Sequence, residues 1–365
     1  MHKSIRAIGV AVLAAVWLGL TLFAWFSPEK ALSQAERRPL QQRPELSADA
    51  VLSGSFAEKF ETYTLDQFPL RDAFRTVKSL YVYHALQQKD NNGIYIANGF
   101  AVKLEYPVSS TSVSHALRKM NAIYDQYLQN TDSRIFLTVV PDKGYYLAAQ
   151  NGYPAMDYGK LLQDVASGAP WAQTVDITNT LSEEHYYRTD THWRQEMLSE
   201  AADILCQAMG VERARDLTPV LATDRFYGVY YWQAALPMQA DALYIMESPW
   251  LQDCRVYNYE TKRFGPVYDR EKMAGMDPYE VYLSGSQALL RVENPHGKAG
   301  KELIVFRDSF ASALVPWLMQ DYQTVTLVDI RYISAALLGE YLDFHGQDVL
   351  FAYSTLILNS SASMK

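Results

Sequence analysis

An α/β fold built on a doubly wound, mainly parallel sheet is what this 365-residue sequence predicts, on three observations. Short continuous apolar runs at 135–140, 302–306, 324–328 and 349–353 read as strands buried on both faces. Segments with apolar residues at helical spacing alternate with them, the rhythm of parallel strands joined by crossover helices. A hydrophobic content of 49% at this length fills a sizeable core, enough for one large domain or one and a half.

The first element is an uncharged, almost wholly apolar stretch at 8–26. At about 1.5 Å per residue it spans close to the ~30 Å hydrocarbon core of a bilayer. Lys3 and Arg6 precede it, so the positive-inside rule keeps the N-terminus cytoplasmic and sends everything after Ser27 outside. Residues 1–27 thus read as a cytoplasmic stub and uncleaved anchor; Ser33-Gln34-Ala35 leaves open a small-x-small site of a cleaved signal. Residues 28–52, rich in Gln, Arg, Glu and Pro, read as a juxtamembrane tether, and the folded body as 53–365.

Apolar spacing over 56–86, interrupted at Pro69, predicts two helices or a broken one. Asn92-Gly93 and Asn98-Gly99 bracket Ile94-Tyr95-Ile96 and predict a small hairpin. Ser112 is placed to cap a helix to about 128, ahead of the strand at 135–140 that ends in Pro141-Asp142-Lys143. A strand at 174–177 and a helix at 195–209, ending before Gly210, follow. From about 221 to 291 the rhythm breaks into Tyr-, Trp-, Pro- and Gly-rich sequence, read as an inserted strand-and-loop lobe. After the strand at 302–306 come a helix to about 320 containing Pro316, a strand at 324–328, a helix at 333–341 and a strand at 349–353.

The chemistry gathers around Asp190-Thr191-His192-Trp193. An imidazole works as a general base when a carboxylate fixes its tautomer and steadies its cation, and Asp190 stands two residues from His192. Ser309 falls just past the 302–306 strand, at the carboxyl end where open α/β sheets place their sites. Ser309 is then the nucleophile, His192 the base and Asp190 its orienter, with the N–H of Ser309 or Phe310 and that of Gly285 as oxyanion donors. Asp308 reads as a helix cap. Arg307 reads as an exposed charge or a contact for an anionic substrate group, and Asp329 with Arg331 as a structural ion pair or a substrate clamp. Trp193 and Tyr332 are further candidates for substrate contact, Tyr332 by stacking on a sugar.

No cofactor fingerprint or phosphate-cradling glycine loop is present, and a metal at Asp190 and His192 would have His185 as its one nearby third ligand, so neither cofactor nor metal is expected. A net charge of −8, without a long basic run, argues against nucleic acid. Cys206 and Cys254 lack metal-ligand spacing and read as two buried thiols or a single bridge.

The pattern Tyr187-Arg188-Thr189-Asp190-Thr191-His192-Trp193, followed by Arg307-Asp308-Ser309-Phe310-Ala311, resembles the DHHW family, which is related to the periplasmic alginate O-acetyltransferases. Asp66-Gln67-Phe68-Pro69-Leu70-Arg71, Asn92-Gly93-Ile94-Tyr95 and Val328-Asp329-Ile330-Arg331-Tyr332 extend the likeness over most of the chain. Thr191 departs from the family's first histidine, Arg307 from its usual lysine, and Tyr282-Leu283-Ser284-Gly285-Ser286-Gln287 from its Gly-Gly-Asn. The resemblance implies an SGNH-hydrolase-like domain with its motifs in circularly permuted order. It also implies an extracytoplasmic O-acyltransferase, acetyl by family, acting on a cell-surface polysaccharide beside a membrane-bound O-acyltransferase that supplies acyl groups. A carbohydrate acetylesterase, or a non-catalytic glycan-binding or assembly protein on the same fold, are the alternatives.

Overall fold

The structure, a computed structural model, describes residues 2–33, 36 and 38–365, with side chains from Arg6 onward. The Lys3 side chain and Gln34-Ala35 of the possible processing site lie outside the described residues. The chain divides into two compact units, one formed by its first 91 residues with Ala235–Pro237, the other by Asn92–Ala234 and Met238–Lys365.

In the first unit, helix α1 (His2–Phe26) contains the stretch Arg6–Phe26, whose 21 residues are long and apolar enough to cross a membrane and are unburied. Ser47 caps the short α2 (Ala48–Leu52) by accepting from the Ala50 N–H. The break expected at Pro69 separates α3 (Ser55–Asp66) from α4 (Arg71–Leu80). Buried Asp66 takes Arg38 Nη1 and Nη2 at 2.9 and 2.5 Å and the Gln41 N–H at 2.8 Å, which ties α3 to the segment before it.

The second unit opens with the expected hairpin, β1 (Ile94–Ala97) and β2 (Phe100–Lys103), turning at Asn98-Gly99 with φ of 50° and 82°. Ser109, rather than Ser112, caps α5 (Ser110–Ile123), accepting from the Ser112 N–H. There follow β3 (Ile135–Val140), α6 (Tyr158–Gly168), β4 (Gln173–Thr174) and α7 (Ser199–Met209). The strand expected at 174–177 thus has two residues, and the helix expected from 195 starts at Ser199 after one 3₁₀ turn. Next are β5 (Thr218–Phe226), α8 (Val229–Ala234), β6 (Asp241–Glu247), β7 (Arg255–Asn258), β8 (Arg263–Gly265) and β9 (Leu289–Glu293). The chain closes with β10 (Lys298–Arg307), α9 (Ala311–Leu318), β11 (Tyr322–Val328), β12 (Asp348–Ser354) and α10 (Thr355–Asn359). Residues expected as a helix at 333–341 form a 3₁₀ segment, Ala335–Glu340.

The main sheet has eight strands in the order β8-β7-β9-β11-β10-β12-β3-β4. From β11 to β4 every pairing is parallel, whereas β9, β7 and β8 add antiparallel to the β11 edge. The interval 221–291 therefore divides between the sheet edge and the separate β5–β6 pair. Along β10, Leu303 and Val305 join a core that includes residues of α7 and α9, while Ile304 and Phe306 join a second core with residues of α5 and α6. This alternation explains the unbroken apolar run, since both faces are covered. Because β10, β12 and β3 are parallel, their carboxyl ends meet at one edge, bringing 308–309, 354–355 and 141–143 together.

Candidate active site

Asp190 and His192 sit on a tight loop closed by the antiparallel bridge between Tyr186 and Trp193 and by the Tyr187 N–H on the His192 carbonyl at 3.1 Å. The Asp190 carboxylate accepts from His192 Nδ1 at 2.6 Å and from the His192 amide at 3.0 Å through one oxygen, and from the Val229 amide at 2.8 Å through the other. A carboxylate only accepts, so Nδ1 carries the proton and Nε2 presents a lone pair. Nε2 lies 2.7 Å from Ser309 Oγ. Three side chains 119 positions apart in sequence at their extremes thus form one hydrogen-bonded line. Asp190 is fully buried and Ser309 is partly open to solvent. Gly228 lets α8 approach, because a Cβ there would come within 2.1 Å of the Asp190 Cβ.

The loop itself is held through its backbone. Asp241 accepts the Arg188 N–H at 2.9 Å and the Thr189 N–H at 2.8 Å. Buried Lys143, from the turn after β3, donates to the carbonyls of Asp190 at 2.6 Å and Tyr187 at 2.9 Å. Next to it Asp142 accepts from Thr355 Oγ1, Gly144 N–H and Tyr158 Oη at 2.6, 2.7 and 3.0 Å, and its burial raises its pKa. On the nucleophile side, the Asp308 carboxylate accepts from the Phe310 N–H at 3.0 Å and the Ser354 N–H at 2.7 Å. Helix α9 has Phe310 at its N-cap with no side-chain cap bond, so Asp308 holds the serine turn and, contrary to expectation, does not cap the helix.

Several sequence-based expectations are corrected. The Phe310 N–H is taken by Asp308 and the Gly285 N–H by the Tyr282 carbonyl at 3.1 Å, so neither amide is available to an oxyanion. The Ser309 N–H has no acceptor among the described residues. Trp193 is fully buried and its indole N–H bonds the Phe310 carbonyl at 2.9 Å, so it holds the serine turn rather than a substrate. Arg307 is neither exposed nor open to a ligand: fully buried, it donates to Ser312 Oγ at 2.8 Å and the Gly285 carbonyl at 3.2 Å, and burial lowers its pKa. Asp329, also fully buried, gives its carboxylate to Arg331 at 2.9 and 2.6 Å, the ion-pair alternative and not the clamp. Tyr332 is half exposed, its ring 5.4 Å from the Arg331 guanidinium, and no hydrogen bond or ring contact joins it to Ser309 or His192.

The sequence reading missed Tyr279, whose ring stacks on His192 at 3.8 Å and 7°, and it missed Lys143 and Asp241. Lys143 carried a usable signal, its place at a strand's carboxyl end; Tyr279 is one of 26 tyrosines and carried none. Among the described residues no three His, Cys, Asp or Glu side chains converge as metal ligands, and Cys206 and Cys254 are separate buried thiols.

Residues 157–328 match the family model for the DHHW protein. A crystal structure of a DHHW family protein from Eubacterium siraeum DSM 15702 is 19% identical over 75% of this chain and 95% of that one, with a TM-score of 0.61. Bacillus cereus PatB1 with a sulfonyl adduct is 15% identical over 73% and 94%, with a TM-score of 0.56. The O-acetyltransferase domain of Pseudomonas putida AlgJ is 13% identical over 73% and 92%, with a TM-score of 0.45. The first two likenesses show a shared mixed α/β fold. No curated protein matches the sequence.

Proposed function

We propose, from the premise that residues 157–328 are those of a DHHW protein, that this chain is a serine-dependent O-acyltransferase acting on a cell-surface polysaccharide. The supporting observation is the line from Asp190 through His192 to Ser309, with steps of 2.6 and 2.7 Å. In this reading Ser309 Oγ attacks the carbonyl of an acyl ester as its proton passes to His192 Nε2. The C–O bond to the leaving alcohol breaks, His192 returns the proton to that alcohol, and the acyl group stays on Ser309. A sugar hydroxyl then gives its proton to His192, attacks the acyl-enzyme and leaves as the new ester, restoring Ser309. The Ser309 N–H, ahead of α9, is the donor proposed for the tetrahedral oxyanion. Acetyl is the proposed group, following the DHHW family's likeness in motif to alginate O-acetyltransferases, and the permuted SGNH arrangement follows from the same motif order. Helix α1 is proposed as a membrane anchor with its N-terminus inside and the second unit outside, beside a membrane-bound O-acyltransferase that supplies acyl groups.

The test uses the full chain in detergent with a chromogenic acetyl ester and an oligosaccharide acceptor. Ser309→Ala is expected to lose turnover by on the order of 10⁶. Equal ester cleavage by wild type and Ser309→Ala ends the enzymatic reading. Acetate released to water in place of acetylated oligosaccharide reassigns it as an esterase. A sulfonyl fluoride is expected to add to Ser309, read by peptide mass.

A further inference from the structure

The turn after β3 places one amine beneath the loop that carries Asp190 and His192. Lys143 is 1% exposed, and its Nζ lies 2.6 Å from the Asp190 carbonyl, 2.9 Å from that of Tyr187 and 3.4 Å from that of Arg188. An ammonium has three donors and no acceptor, and three converging carbonyls match that inventory. Asp142 from its own turn, Asp190 from the loop and Asp241 from β6 face it as charged groups. From α8 the Tyr230 ring lies 5.0 Å away, and from β2 the Phe100 ring lies 5.9 Å away. Meanwhile Asp241 accepts the amides of Arg188 and Thr189. The loop's carbonyls thus meet a cation and its amides an anion.

We infer that Lys143 is a positioning residue whose buried ammonium draws the carbonyls of Tyr187 and Asp190 inward and so keeps the imidazole of His192 in line with Ser309. The inference rests on the acyl-transfer reading. A methionine of similar length fills the space and supplies no donor, so the carbonyls of Tyr187 and Asp190 each lose a buried hydrogen bond. The loop then moves to reach water, and Nε2 leaves Ser309 Oγ. Substrate contacts are untouched, so the loss falls on turnover. Burial also draws the Lys143 pKa down to about 7, against the pull of Asp190, Asp241 and Asp142, so rising pH discharges the clamp and turnover falls on the alkaline side.

The experiment compares wild type with Lys143→Met as ¹⁵N-histidine-labelled full chain in detergent. Three quantities are read: the far-downfield Nδ1–H resonance of His192, kcat and KM for the acetyl ester from pH 6 to 9, and thermal unfolding. Lys143→Met is expected to fold, to hold KM within about threefold and to lose kcat at least a hundredfold, with the Nδ1–H resonance broadened away. A variant that keeps both kcat within threefold and that resonance overturns the inference. If the wild type cleaves no ester, the acyl-transfer reading fails on its own and the resonance alone decides the positioning. If Lys143→Met does not fold, Lys143→Gln, whose shorter amide reaches fewer of the three carbonyls, is read by the same quantities: kcat lost at least about tenfold with KM held supports the clamp, and kcat within about threefold with the resonance intact overturns it.

Discussion

Tyr279 lies face to face with His192, yet its hydroxyl is buried with no hydrogen-bond partner among the described residues. The ring therefore does the positioning, and the hydroxyl is a buried polar group whose removal relieves a desolvation cost. Tyr279→Phe is expected to keep full ester turnover and to match or exceed wild-type stability by up to about 1 kcal/mol, read by chemical denaturation. A tenfold loss of turnover in that variant would make the hydroxyl a participant. Asp190→Asn is expected to lower kcat by about 10⁴, because an amide in place of the carboxylate lets Nδ1 lose its proton and Nε2 hold one. Retention of the Nε2 lone pair, seen in the imidazole ¹⁵N shifts, would count against that account. At this scale the sequence exposed Asp190, His192 and Ser309 because spacing and strand position mark them. It misplaced Arg307 and Trp193 because a side chain's burial depends on what packs over it from elsewhere: Gly285 over Arg307, the serine turn over Trp193. Oxyanion donors failed for a related reason, since a free amide looks like any other until its acceptors are known.

Among the elements, α8 matters most to the carboxylate, for its first amide is on Asp190 and its approach depends on Gly228. Gly228→Ala puts a Cβ within 2.4 Å of the Asp190 backbone, which cannot give way without moving the loop. The expected outcome is a loss of about 1–3 kcal/mol with at least a tenfold fall in turnover. A fully active, equally stable variant would show that α8 can retreat without consequence. Strands were the most legible elements, because β3, β10, β11 and β12 are covered on both faces and so carry unbroken apolar runs. Short pieces were less so: the strand at 174–177 shrank to Gln173–Thr174, since a two-residue pairing at a sheet edge leaves little pattern to read. The antiparallel edge β9-β7-β8 was hidden inside sequence without a clear period.

For the molecule as a whole, Lys143 links folding to pH. Its pKa is about 7 when folded, against about 10.4 in an unfolded chain. Between those values the unfolded chain holds a proton that the folded chain has released, so stability rises with pH across that window. Relative to Lys143→Met, wild-type stability is expected to climb between pH 7 and 10 with a slope approaching one proton. Urea midpoints at pH 7, 8 and 9 check this, and a flat or falling difference would show that the amine is not titrating there. The mainly parallel sheet was readable from the sequence, whereas the boundary at Asn91 follows from packing that no local pattern announces.

The hairpin of β1 and β2 makes one contact with a practical consequence: the Ala101 N–H donates to the Arg188 carbonyl at 2.8 Å. Proteolytic trimming or recombinant truncation that removed the chain up to residue 104 would remove no strand of the large sheet. It would nevertheless strip a backbone donor from the loop beside Asp190, so such a fragment is expected to yield soluble protein with impaired turnover. The shortest useful soluble form has to start upstream of Ile94.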